Sequence, residues 1–462
     1  MLDDVVFWPI ERLLESFRRR EVSPVELTTL ILDRINYFNK DLNSYLTITP
    51  ELALEQALYA QNRYLIVDDA LPPLLGVPSS IKDLFDVRGV VTSLGSRVFG
   101  KSEAEADSLP VALLREAGSV FLGKSNTAEF GQSATTDNLL GPECRNPWDP
   151  TKTSGGSSGG AAASVGAGLA SFALGSDGGG SIRIPAAMCG LFGIKPTFAR
   201  APESETFHGM TAFVGSGPIT RTVADGRLVL SVLLQRELRR GPRGVRHRIA
   251  WCGAPEGHPV APGVRQRSEL VIQNLIDAGH VIEEVTLPLQ GWSDAFGPLV
   301  LKDEGRYRQH LLEDDGDQLT FYARKAIEAS RRITDADVAS AMSIRRDVQR
   351  RVAEMFRTYD FIVTPTLATT AFPVGERPET IDGVPVDTLW GPFPFTAPFN
   401  VSGSPAATVP IGLVDEMPIG LQVVGPHNDE ASVLDFCEDI EDMVAFRFEE
   451  LKNRWQRDEA RN

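Results

Sequence analysis

Residues 154–183 carry the densest concentration of chemistry-bearing positions in the chain: two Gly/Ser clusters around a small apolar segment. The first cluster is Gly155-Gly156-Ser157-Ser158-Gly159-Gly160 and the second is Gly178-Gly179-Gly180-Ser181. Glycine adopts positive φ and lets another group approach the backbone closely. Three glycines before a serine therefore turn several N–H groups toward one point. A carbonyl oxygen that becomes an oxyanion during acyl transfer needs such donors. A serine among them needs a base to act as nucleophile. Histidine usually fills that role, yet His208, His247, His258, His280, His310 and His427 all lie outside the glycine core. A Ser–Lys arrangement is the known alternative.

Two other readings of the stretch fail on its residues. A flexible linker would lack the Val, Ala, Leu and Phe between the clusters, and would not place Asp177 and Arg183 beside Ser181. The G-x-S-x-G match at Gly155–Gly159 suggests a nucleophile elbow, which requires a preceding strand. Pro147 and Pro150 rule a strand out there. Residues 161–174 read instead as a buried helix running into a short strand, too short to span a membrane.

Residues 154–185, together with Gly76-Val77-Pro78-Ser79-Ser80-Ile81-Lys82-Asp83, resemble the signature segments of the amidase signature family. The similarity runs from about residue 22 to 225 and returns at 396–425. Lys82, Ser157 and Ser181 match the family's Lys–Ser–Ser triad in order and separation. The resemblance implies Ser181 as nucleophile, Lys82 as base, and Ser157 as the bridge between them. It also implies a cis peptide bond from Gly156 to Ser157. The N–H groups of Gly178, Gly179, Gly180 and Ser181 would form the oxyanion hole, with Ser158, Asp177 and Arg183 in support. Gly178 replaces a larger residue found in many relatives, which predicts extra backbone freedom. No metal or organic cofactor is called for.

A lysine base must be neutral, and an unperturbed lysine ionises near about 10.4. Burial lowers that value. Val77, Pro78, Ile81, Leu84 and Phe85 give Lys82 apolar neighbours, and on a strand Asp83 points to the opposite face.

The remaining elements must position this site. Helices are expected over 10–19, from a Ser23 N-cap onward, and over 50–64. This helical start packs on the core, or on a second copy in a homodimer. Ser80–Lys82 reads as a short strand or turn at a sheet edge. A helix at 107–116 and a strand at 119–123 precede the glycine core, and a helix follows at 222–235. Strands at 248–252, 281–285, 360–365, 408–413 and 420–424 alternate with helices at 262–278, 296–312, 318–331, 335–358 and 429–455. This alternation predicts an α/β fold. The resemblance specifies a single large domain, with a mixed twisted sheet covered by helices on both faces. Within it, 1–70 forms a helical N-terminal part, 71–235 the signature core, and 236–462 the remaining strands, helices and pocket loops.

Composition bounds the partners. A net charge of −16 argues against nucleic acid and anionic membranes. Cys144, Cys189, Cys252 and Cys437 are dispersed without C-x-x-C spacing, so buried thiols in a reducing compartment are expected. The acidic start lacks an apolar leader, and no long apolar run follows. A cytoplasmic location is the expectation.

The expected function is hydrolysis of a small aryl or alkyl amide, with ester, anilide and carbamate (urethane) side activity. Phe130, Gln132, Trp390 and Phe393 are candidate pocket residues. One alternative is the amidotransferase subunit that draws ammonia from glutamine for misacylated tRNA. Its members typically carry Gln after Ser-Ile-Arg, where this chain has Ile184. The other alternative, a non-catalytic scaffold, is disfavoured by Lys82, Ser157 and Ser181 occurring together.

Overall fold

The computed structural model describes residues 2–66, 71–201, 207–446 and 448–455. Its centre is an 11-stranded sheet. The strands are β1 (Tyr45–Ile48), β2 (Pro78–Lys82), β3 (Val120–Ser125), β4 (Phe172–Asp177), β5 (Phe192–Lys195) and β6 (Gly215–Thr220) in the first half. β7 (Arg248–Trp251), β8 (Val281–Glu284), β9 (Phe361–Pro365), β10 (Ala406–Val414) and β11 (Met417–Val424) complete it. Their spatial order is β1-β3-β2-β4-β6-β5-β10-β11-β9-β7-β8. The sheet is mixed: β2 runs parallel to β3 and β4, while β4 is antiparallel to β6 and β10 to β11.

Helices cover both faces because the strands bury both sets of side chains. On β4, Phe172 and Leu174 pack with Val111, Leu114, Val229 and Leu233. Ala173 points the other way, into a layer with Ala161, Val165 and Ala186. The same alternation sets β2. Ile81 joins the first layer, so Ser80 and Lys82 project toward the second. There Ser80 Oγ lies 3.0 Å from Ser164 Oγ on the Gly159–Gly166 helix.

The expected helices at 10–19, 50–64, 222–235 and 262–278 form within a residue or two. Ser23 caps the second helix as half of a complete capping box with Glu26. Leu13, Phe17, Leu27 and Ile31 are buried in the core, which settles where the N-terminal helices pack in this chain.

Three local expectations are corrected. β2 lies inside the sheet, hydrogen-bonded to β3 and β4, and is no edge strand. The 107–116 helix begins at Leu109, because Asp107 instead accepts from Arg88 N and pairs with Arg115. The final helix is two segments, Glu430–Val444 and Glu449–Arg454, broken where Ala445 takes φ +47.

Candidate active site

β2 and β4 are parallel neighbours, and their C-terminal ends bring Lys82 beside Ser176 and Asp177. Lys82 is fully buried, and its Nζ donates to Ser157 Oγ at 2.7 Å and to Ser176 Oγ at 3.0 Å. Burial holds the amine well below the ordinary lysine range, opposed by the negative charge of Asp177. Asp83 does not compete for it, since Lys124 Nζ pairs with its carboxylate at 2.7 Å.

Ser157 follows a cis Gly156–Ser157 peptide bond. A Cβ on Gly156 would lie 2.5 Å from the Thr135 carbonyl, so the loop closes only on glycine. Thr136 Oγ1 fixes the same loop by donating to Gly155 O and accepting from Gly159 N. The two glycine clusters are joined where Ser158 N donates to Ser181 O at 3.3 Å. Ser158 Oγ in turn donates to Ser176 O.

The second cluster is held by a buried ion pair. Arg183 grips Asp177 through Nε and Nη2, both at 2.9 Å. It also donates to Thr396 O, Gln422 Oε1 and Asn400 Oδ1. Burial alone would raise the Asp177 carboxyl; the Arg183 charge and hydrogen bonds, with Asn400 and Lys195, outweigh it and hold the group ionised. Asp177 accepts from Gly180 N at 2.7 Å and from Ile182 N at 3.3 Å. Gly180 N–H is thereby committed to the carboxylate, which leaves the N–H groups of Gly178, Gly179 and Ser181 as candidates for an oxyanion. Gly178 lies against Met210 in this turn. Met210 packs so closely that its Sδ would lie 2.3 Å from an added Cβ.

Ser181 is 8% exposed and opens onto a cavity of about 800 Å³. Among the described residues its Oγ makes no hydrogen bond to Ser157 Oγ, whose partner is Lys82. Gly179, Ile184, Met210, Phe296, Val300 and Trp390 give the cavity much of its wall. Trp390 meets Phe296 edge-on at 5.7 Å. Gln132 and Trp390 line this cavity as expected, but Phe130 and Phe393 do not. Phe130 is buried against Phe99 and beneath the Arg308 guanidinium, and Phe393 packs on Phe372 in the core. The histidines stand apart. His247 stacks with His280, His208 with Tyr307, and His427 Nε2 bonds Ser402 O.

Sequence reasoning missed Ser176, Thr396, Asn400 and Gln422. Ser176 adjoins Asp177 in sequence, but its contact with Lys82 depends on which strands are neighbours. The other three come from the 396–425 stretch that shares the family resemblance.

Comparison with known proteins follows the same lines. The Amidase family profile matches residues 26–434. This chain belongs to the amidase family. It is 33% identical to the A-subunit of glutamyl-tRNA(Gln) amidotransferase from an Exiguobacterium species, over 92% of this chain and 95% of that one. The Ehrlichia canis protein of the same name is 32% identical over 95% and 98%. Among solved structures, a bacterial aryl acylamidase of the amidase signature family superposes with a TM-score of 0.87 at 27% identity, covering 97% of this chain and 98% of that one. The glutamyl-tRNA(Gln) amidotransferase A-subunit of Thermotoga maritima superposes with a TM-score of 0.76 at 28% identity, covering 94% of each.

Proposed function

We propose that this amidase cleaves the C–N bond of a small amide through an acyl-enzyme on Ser181. The observation that carries the reading is the buried Lys82 amine, 2.7 Å from Ser157 Oγ, whose hold on its proton burial weakens. In this reading, a serine rotamer change closes the Ser181–Ser157 step. Lys82 then takes the Ser157 proton as Ser157 takes that of Ser181. The Ser181 alkoxide attacks the carbonyl, and the backbone N–H groups of the glycine turn receive the oxyanion. The proton returns through Ser157 to the leaving nitrogen, and water releases the acid by the same route. Esters and carbamates present the same carbonyl, so the machinery extends to them.

The substrate has two candidate classes. The apolar wall of Ile184, Met210, Phe296, Val300 and Trp390 supports an aryl or alkyl amide. The curated relatives favour the second class, glutamine, with the chain acting as the amidase component of an amidotransferase. Arg377, Lys325 and Asp137 on the cavity wall are the charged groups that would suit a zwitterion. Initial rates on L-glutamine and on 4-nitroacetanilide, after fluorophosphonate labelling has located the nucleophile, decide between them. The expected label is on Ser181 and the expected preference is for the anilide. A label elsewhere would overturn the mechanism. A kcat/KM for glutamine at least tenfold the higher would assign the amidotransferase class.

A further inference from the structure

A buried ion pair unused by the triad stands behind the cavity. Glu304 and Arg308 lie one turn apart on the Trp292–Arg308 helix, with Nη1 2.7 Å from Oε1 and both side chains inaccessible. A buried pair of this kind is a weak source of stability. Here it is also incompletely satisfied, because Glu304 Oε2 is buried without a hydrogen-bond partner. What the pair does hold is Gln132, whose Nε2 donates to the same Glu304 Oε1 at 2.7 Å. An oxygen that already accepts from Arg308 fixes the polarity of the glutamine amide: its NH₂ faces the wall. Its carbonyl oxygen is left as an acceptor, and among the described residues no donor meets it.

The turn that delivers Gln132 is built for placement. Phe130 sits at φ +53, a region bulky residues rarely adopt. Glu129 is anchored from several sides, with its carboxylate accepting from Ser96 Oγ, Thr320 N and Thr320 Oγ1. Gly131 comes next, so close to the relay that a Cβ there would lie 3.4 Å from Ser157 Oγ. Gln132 follows directly and lines the same cavity onto which Ser181 opens.

We infer that Gln132 accepts a hydrogen bond from the N–H of the scissile amide, and that Glu304 and Arg308 are positioning residues that fix its polarity. The substrate class is then a primary or secondary amide, or a carbamate bearing N–H. Esters and N-alkylated tertiary amides offer no donor there. This rests on the reading of Ser181 as the nucleophile.

The test compares kcat/KM for 4-nitroacetanilide, its N-methyl derivative and 4-nitrophenyl acetate in wild type, Gln132→Met and Glu304→Gln. Methionine keeps the length of the side chain without its acceptor. The ratio of anilide to N-methyl anilide should fall about tenfold in Gln132→Met, the scale of one hydrogen bond, and the ratio of anilide to ester should fall with it. Glu304→Gln, which frees the amide to turn over, should move both ratios in the same direction by a smaller factor. Ratios within twofold of wild type in both variants, or a parallel fall on all three substrates, would overturn the inference. Fluorophosphonate labelling of Ser181 in each variant reports on the nucleophile separately. Flat ratios in an enzyme that still labels remove Gln132 alone.

Discussion

Lys82 is the residue on which structure and chemistry meet most directly. Its type and spacing made it legible, because the segment around it and both serine clusters match one family pattern. Its electrostatic surroundings were not legible. Asp83 and Asp86 are the acidic neighbours in sequence, whereas the charge that acts on the amine is Asp177, brought in by the pairing of β2 with β4. Burial on folding lowers the affinity of this amine for its proton. Between its lowered folded midpoint and the unfolded value near about 10.4, the unfolded chain binds more protons. Stability therefore rises with pH across that window, and the buried amine is a net cost at neutral pH. Lys82→Met should lower kcat/KM on an amide by about 10²–10⁴-fold, the usual worth of a positioned base. The same variant should melt at a higher temperature than wild type at pH 7, with the gap closing as pH is raised toward 10. Wild-type activity should rise with pH through the Lys82 ionisation. A variant that melts lower at pH 7 would mean that the amine is charged in the fold.

At the scale of elements, the glycine turn after β4 is shaped by what lies beneath it. Arg183 ties Asp177 to the Thr396 carbonyl, Asn400 and Gln422, so two distant segments, 396–400 and the strand that carries Gln422, converge on one turn. Thr396 Oγ1 adds a bond to Gly179 O at 2.8 Å. Removing one partner of such a buried pair leaves the other charge stranded, at a cost of about 3–5 kcal/mol. Arg183→Met should lose stability on that scale in urea denaturation, and labelling of Ser181 should fall because Asp177 no longer orients Gly180. A loss below about 1 kcal/mol, in the range of an exposed pair, would mean that the network is dispensable. Capped helices were the most legible elements, since Ser23 and Thr334 both announce complete capping boxes. β5 and β6 escaped notice. Phe192–Lys195 is a short strand, and Gly215–Thr220 carries two glycines and a proline that weaken any strand pattern. They form because β4 and β10 supply partners on either side.

The whole molecule joins its site to a long-range topology. The strand order places β10 beside β5 and thereby brings the 396–425 stretch under the glycine turn, an arrangement that local sequence pattern does not specify. The α/β class was legible from the alternation of elements, but the order of strands was not. Surface charge is the other whole-molecule property. With a net −16, the chain should repel polyanions, and phosphate binding depends on released counterions that an acidic surface does not displace. This bears on the amidotransferase reading, in which a tRNA would have to be engaged by companion subunits. The expected result is that the isolated chain shows no retention of labelled tRNA in filter binding at 50 mM salt, a condition that exaggerates any electrostatic attraction. Saturable binding that weakens steeply as salt is raised would identify a basic surface on this chain. It would also shift the balance from a stand-alone amidase to a component that meets the tRNA itself.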